Sequence, residues 1–257
     1  MTPPVIALAV TGAFLAGIIM AVVLGRKKKK IAQAHVDRLE AQLEELQASF
    51  TRFVPHSLVN QMITSSGDIP AERKKITVLF ADIVGFTDMS ERHDPAVIVD
   101  ILNSYFEEMT VAITKHEGLL SKFIGDGIMA TFGALSDNPW QSRDSVHAAL
   151  AMRAALKEHN RRSQAERLPI LKIGIGIHHG MVISGFIGSK EIREFTAIGD
   201  TVNVASRVES LTRVHKTDIL VTEAIFQKVH DSFPFIEMPP AEVKGKKESL
   251  KTWSISG

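Results

Sequence analysis

The spacing of apolar positions along the chain changes twice. From Val5 to Gly25 about twenty residues carry no charge, long enough for a helix to cross a bilayer. Arg26 and Lys27 to Lys30 come immediately after. Basic residues stay on the cytoplasmic flank of a span, so the N-terminus is expected outside and the rest inside, at the inner face of a plasma membrane. A cleaved signal peptide would carry its charge before the apolar run instead. About four residues would lie outside, leaving no external sensor in this chain. Ala9, Ala13, Gly17 and Ala21 recur every four residues, which suits close helix approach but is also common in any membrane helix.

Beyond the basic run the apolar spacing becomes four and three. Ala32, Val36, Leu39, Leu43, Leu46, Phe50 and Phe53 make a coiled-coil seam, with Asp37, Arg38, Glu40, Glu44 and Glu45 off it. This predicts a parallel dimer; the alternative is one amphipathic helix packed on the C-terminal domain. Pro55 is expected to end the helix. A short helix from about His56 to Ile63 and the polar turn Ser65-Ser66-Gly67-Asp68 come next.

From about Lys74 strand and helix patterns alternate. Ile76 to Ile83 reads as a buried strand and Asp94 to Glu117 as a long amphipathic helix. Leu119 to Ile124 and Ile128 to Phe132 read as strands around Gly125-Asp126-Gly127. Gln141 to Arg162 is a second long helix. Leu171 to Ile177 and Met181 to Ile187 are expected to form a hairpin across His178-His179-Gly180. A helix over Asp200 to Thr212, a short one near Thr222 to Val229 and two late strands complete the chain. The class is α+β: a ferredoxin-like βαββαβ sheet with an added αβ tail, preceded by a single transmembrane helix and a short coiled coil. The expected divisions are an anchor with its basic flank (1–30), a coiled-coil linker (31–54), a connecting helix and turn (55–73) and the main domain (74–257).

Composition narrows the function. A hydrophobic share of 45% with 23% charged residues predicts a packed core. The formal net charge of +1 argues against nucleic acid as a partner. With no cysteine, disulfides and thiolate metal sites are excluded.

The candidate chemistry lies in carboxylates. Asp82 ends a buried strand, where an unpaired charge is costly. Asp126 stands in a tight turn, a position that turn chemistry alone explains. Together they can converge on Mg²⁺ or Mn²⁺ held jointly with a phosphate. Gly85 comes after Asp82 in a loop whose backbone N–H groups suit phosphate. Asn203 and Arg207 share one helix face, as a polar surface pair also would. Asp200 and Thr201 are expected to cap that helix. His178 and His179 are expected to be solvated turn residues, since no third ligand is in sight.

Three strings make a sharper pattern. They are Phe80-Ala81-Asp82-Ile83-Val84-Gly85-Phe86-Thr87, Lys122-Phe123-Ile124-Gly125-Asp126-Gly127, and Phe195-Thr196-Ala197-Ile198-Gly199-Asp200-Thr201-Val202-Asn203-Val204-Ala205-Ser206-Arg207. In this order they resemble the signature of the class III nucleotide cyclases, over about residues 70 to 257, with Val243-Lys244-Gly245-Lys246 at the end. The resemblance implies an adenylate cyclase acting as a homodimer with two shared sites. Asp82, Asp126 and the backbone of Ile83 would bind two divalent cations, Mg²⁺ or Mn²⁺, in one subunit. Lys122 and Thr196 of the other would read the base of ATP, Asn203 would orient the ribose, Arg207 would stabilise charge on the α-phosphate, and Lys244 would reach the terminal phosphates. Lys122 is donor-only and adenine N1 is an acceptor, whereas guanine carries a proton there. Lysine therefore opposes the rival guanylate cyclase reading. A catalytically silent dimer is opposed by the intact residue set, and the related diguanylate cyclases by the absence of their glycine-acidic loop. Thr196 replaces the family's commoner acidic residue and resembles a subgroup often stimulated by bicarbonate, a further expected partner.

Overall fold

The apolar run around Ile76–Ile83 becomes a central strand, β1, extended at its start to Glu72. The computed structural model describes residues 3–50, 54–64, 69–240 and 250–256. In chain order they form α1 (Pro3–Phe50), α2 (His56–Thr64), β1 (Glu72–Ile83), α3 (Phe86–Arg92), α4 (Pro95–Thr114), β2 (Leu119–Ile124), β3 (Gly127–Phe132) and α5 (Gln141–Ala165). Then come β4 (Ile173–Gly188), β5 (Arg193–Ile198), α6 (Asp200–His215), β6 (Ile219–Thr222), α7 (Glu223–Val229), β7 (Phe235–Glu237) and β8 (Thr252–Ile255). Two compact units are present, Met1–Val59 and Asn60–Gly257.

In the second unit the described strands make one sheet in the order β2-β3-β1-β4-β6-β8-β7, with β5 paired to β4 alone. The pairs β1–β3, β1–β4, β2–β3 and β4–β5 are antiparallel, and β4–β6 is parallel. The β-α-β-β-α-β order expected from the sequence is therefore present, with β2-β3-β1-β4 as its sheet and β6 to β8 as the added tail. Alternate side chains of a strand point to opposite faces. Leu79, Ala81 and Ile83 enter the main core with Tyr105 and Met109 of α4, Val146 and Met152 of α5, and Ile225 of α7. The even-numbered face carries Asp82 and receives α6. Val204, Val208 and Leu211 of α6 bury themselves there with Leu220 of β6.

The expected hairpin across His178-His179-Gly180 does not form. β4 runs unbroken for 16 residues through all three, and the antiparallel return is β5, after residues 189–192. Gly180 serves close approach rather than a turn. A Cβ on it would come 2.6 Å from the Thr201 hydroxyl at the start of α6. The two histidines are thus strand residues: His178 Nδ1 lies 2.8 Å from Thr222 Oγ1, and His179 Nδ1 lies 3.1 Å from Thr77 Oγ1. The start of α6 also differs from expectation. Gly199 occupies the cap position with φ 145°, so neither Asp200 nor Thr201 is the cap residue. Asp200 sits in the first turn, where its charge complements the helix dipole, and the Thr201 hydroxyl donates to Met181 O at 2.7 Å.

In the first unit one helix of 48 residues covers the apolar run and the heptad stretch as far as Phe50; Phe53 of the seam lies outside the described residues. Val36, Leu39, Leu43 and Leu46 of the seam are exposed on the single chain. Among the described residues no helix is long and apolar enough to cross a membrane. Most side chains of the expected span, Val5–Gly25, lie outside the described set.

Candidate active site

β1 delivers Asp82 at its penultimate position, and the β2–β3 turn delivers Asp126 beside it. In that turn Ile124 pairs with Gly127, leaving two central residues, and the positive φ of 61° falls on Gly125. Glycine at the first central position is what a II′ hairpin turn requires, so Asp126 is held at the tip without strain. Gly127 gives clearance: a Cβ there would stand 3.2 Å from Asp82 Oδ1. Burial and the Asp82 charge push the Asp126 carboxyl above the usual carboxylate range, opposed by hydrogen bonds from the backbone of Asp126 and Ile83.

The chemistry of the pair suits a hard divalent cation. Two carboxylates close enough for the charge of Asp82 to lift Asp126 are both stabilised by a shared positive charge, and the backbone of Ile83 is adjacent. Among the described residues no group of three or more His, Asp or Glu side chains is arranged to hold a metal. Phosphate oxygens and water would have to complete the shell. The loop behind Asp82 turns at Gly85, φ 74°, into the seven-residue α3. The Val84 N–H already donates to Lys172 O at 2.8 Å.

Three residues that the sequence pattern did not single out surround the pair. Arg213 of α6 donates from Nη2 to Asp82 Oδ2 at 2.6 Å and from Nη1 to Glu209 Oε1 at 2.9 Å. Burial lifts Glu209 to about 7 against the pull of Arg213, with the Asp82 charge adding to the rise. The Tyr105 hydroxyl is buried with no hydrogen-bond partner among the described residues. Burial and the charges of Asp82, Asp126 and Glu209 push it up. The available signal for Glu209 was Gly174-Ile175-Gly176 in β4, since paired glycines in a strand mark a backbone pressed close.

The base-reading candidates form a second group. The β2–β3 register shifts between Leu120 and Lys122, a bulge of the kind that re-aims a side chain. Lys122 Nζ reaches Glu194 Oε2 of β5 at 2.8 Å. Residues 194 and 196 share one face of that strand, so Lys122 is drawn to the strand that carries the buried Thr196. Asn203, exposed, and Arg207, half-buried, come next on α6. Lys244 lies outside the described residues.

The α6 geometry separates two arginines. Arg207 precedes Arg213 by six residues, which is about 9 Å along the axis and about 240° around it. Arg213 therefore faces the Asp82 of its own chain, and Arg207, with Asn203 four residues before it, is turned elsewhere.

Residues 70–257 match the model of the adenylate and guanylate cyclase catalytic domain. An adenylate cyclase of Anabaena cylindrica is 37% identical over 218 residues, covering 80% of this chain and 42% of that protein. The chain spans only 32% to 42% of the length of the first curated relatives it matches. Among solved structures, the adenylyl cyclase CyaB from P. aeruginosa superposes with a TM-score of 0.70 at 30% identity, over 74% of this chain and 97% of that one. The guanylyl cyclase Cya2 superposes with a TM-score of 0.69 at 32% identity, over 74% and 95%.

Proposed function

The chain belongs to the adenylate and guanylate cyclase catalytic domain family, and from that premise we propose that it converts ATP to 3′,5′-cyclic AMP and pyrophosphate in a homodimer with shared active sites. The observation that carries the reading is the meeting of Asp82 and Asp126 at the end of β1, in a donor set that fits a divalent cation.

In the reaction the ribose 3′-oxygen attacks the α-phosphorus, its proton leaves, and the bond to pyrophosphate breaks. Asp82, Asp126 and the Ile83 backbone would hold the divalent cations, which when bound supply a lowered pKa for the 3′-hydroxyl and charge neutralisation at the phosphates. The remaining work is positioning and charge stabilisation. Asn203 orients the ribose. Arg207 meets the negative charge that builds on the α-phosphate. Lys244 takes the terminal phosphates. Lys122 donates to adenine N1 and Thr196 accepts from the adenine amine. Glu194 keeps Lys122 extended over β5 until the base arrives.

Sharing between subunits is supported by α6: Arg213, rather than Arg207, faces the chain's own Asp82. The exposed apolar seam Val36, Leu39, Leu43 and Leu46 supports a parallel pairing of α1. Anchoring at a membrane rests on the sequence of Val5–Gly25 and Arg26–Lys30 alone. Bicarbonate stimulation rests on Thr196 alone; a rate that stays flat in a bicarbonate titration at constant pH, with chloride as control, removes it.

The test is incubation of the purified chain with ATP or GTP and Mn²⁺ or Mg²⁺. Cyclic AMP formed in preference to cyclic GMP, at a rate rising steeply with protein concentration, supports both the chemistry and the dimer. Cyclisation of GTP with ATP ignored would establish the guanylate reading instead. Turnover of neither nucleotide by a folded dimer would favour the silent reading.

A further inference from the structure

Asp82 is already engaged in the single chain. Arg213 crosses 131 residues of sequence to reach it at 2.6 Å, and with its other terminal nitrogen holds Glu209 at 2.9 Å. The register explains the arrangement. Asp82 stands opposite Gly174 in the β1–β4 ladder. The space over Gly174 is filled from α6: a Cβ there would come 2.1 Å from Thr212 Oγ1 and 2.8 Å from Glu209 Oε1. Two carboxylates thus lie against one stretch of sheet, one near its open end and one beneath the helix. The side chain of Glu209 is 7% exposed and those of Arg213 and Asp82 are 36% and 34% exposed. The forked guanidinium can serve both at once.

Arg213 holds Asp82 Oδ2, and Oδ1 lies on the side of Gly127 in the turn that carries Asp126. A divalent cation on that side shares the carboxylate with the guanidinium, and two cations on one carboxylate repel each other. The contact to Glu209 is the fixed one, because a buried carboxylate stripped of its counter-charge is strongly destabilising. The contact to Asp82, at the exposed end, is the one free to open. Resting on the reading of Asp82 as a metal ligand, we propose that Arg213 is a positioning residue that holds Asp82 until a divalent cation binds and then withdraws onto Glu209. Glu209 is the acceptor that makes the withdrawal possible.

Direct binding of Mn²⁺ alone to the full chain, with free Mn²⁺ read by electron paramagnetic resonance, tests this without turnover. Removing the arginine removes the competitor, so Arg213→Met tightens Mn²⁺ binding by roughly tenfold, the scale on which outer partners of metal ligands act. Arg213→Met leaves Glu209 buried and uncompensated, so the double variant Arg213→Met with Glu209→Gln accompanies it and is expected to tighten binding equally. Glu209→Gln alone has the opposite sign. Arg213 then has only Asp82 to hold, and Mn²⁺ binding weakens by roughly tenfold. A merely structural role would move these variants together. Shifts of the same sign, or none, overturn the proposal. Asp82→Asn in the same titration separates the two readings: if it binds Mn²⁺ as tightly as the unaltered chain, the metal site itself falls, whatever Arg213 does.

Discussion

At the scale of single residues, His179 shows how position in the sheet decides chemistry. It sits in β4 opposite Thr77 of β1, and the Thr77 hydroxyl also meets Ser142 Oγ at 3.2 Å. Burial, then the charges of Lys228 and Lys75, lower its pKa from 6.5 to about 4. The folded state therefore refuses a proton that the unfolded chain accepts below about 6.5. The stability from keeping His179 neutral is full above that pH and is lost as pH falls toward 4, so stability rises with pH across this window. Because the ring is only half-buried, the expected size is on the order of 1 kcal/mol. Urea unfolding of His179→Gln at several pH values is expected to show a shallower slope between pH 6.5 and 4. An unchanged slope would assign the dependence to another group. Of the site, Asp82, Asp126 and Lys122 were legible because each lies in a short string with its own turn or strand pattern. Arg213 and Glu209 were not. Four residues apart on a helix, they read as an ordinary surface ion pair, and only the fold brings Asp82 to Arg213.

At the scale of elements, the seat of α6 on β4 decides where Asn203 and Arg207 stand. The helix rests on Gly174 and Gly176. A Cβ at Gly176 would come 2.1 Å from Glu209 N and 2.6 Å from Ala205 O. These are backbone atoms, so the helix would have to move bodily. Gly176→Ala is expected to destabilise the domain by about 1–3 kcal/mol, the range for overpacking a core, read as a lower urea midpoint. It should also lower turnover, since α6 would be displaced together with its polar face. A midpoint equal to that of the unaltered chain would show that α6 does not press on β4 there. The long elements were readable in advance: α4 and α5 from their apolar period, and β1 to β3 from apolar runs and one turn. Sequence and structure part at Gly180, where a glycine after two polar residues looks like a turn. Its actual role, admitting the Thr201 side chain of α6, is a tertiary contact that no local pattern displays. β6 shows no signal in the sequence, because four residues give too short a run to show a period.

At the scale of the whole molecule, one chain brings together only some of the candidate site residues. A single chain joins Asp82 to Asp126 and draws Lys122 toward the strand of Thr196. It also turns Arg213 toward Asp82, leaving Arg207 about 9 Å away along α6 and on another side of it. If one active site needs Asp82 and Arg207 together, a second copy supplies one of them. Asp82→Ala and Arg207→Ala are each expected to abolish turnover while the chain stays folded and dimeric. Normal turnover in Asp82→Ala would refute the metal assignment outright. Mixed together, the two dead proteins exchange subunits, and each mixed dimer contains one site with both defects and one with neither. About half of the dimers in an equal mixture are mixed when exchange is free, and each carries one intact site of two. The mixture is therefore expected to recover roughly a quarter of the unaltered activity, since each unaltered dimer has two sites. Subunit exchange is followed in the same samples by a fluorescence label on each variant. Proven exchange with no recovered cyclic AMP would mean that Asp82 and Arg207 act within one chain, and that α6 must rotate to bring Arg207 to the place Arg213 now holds.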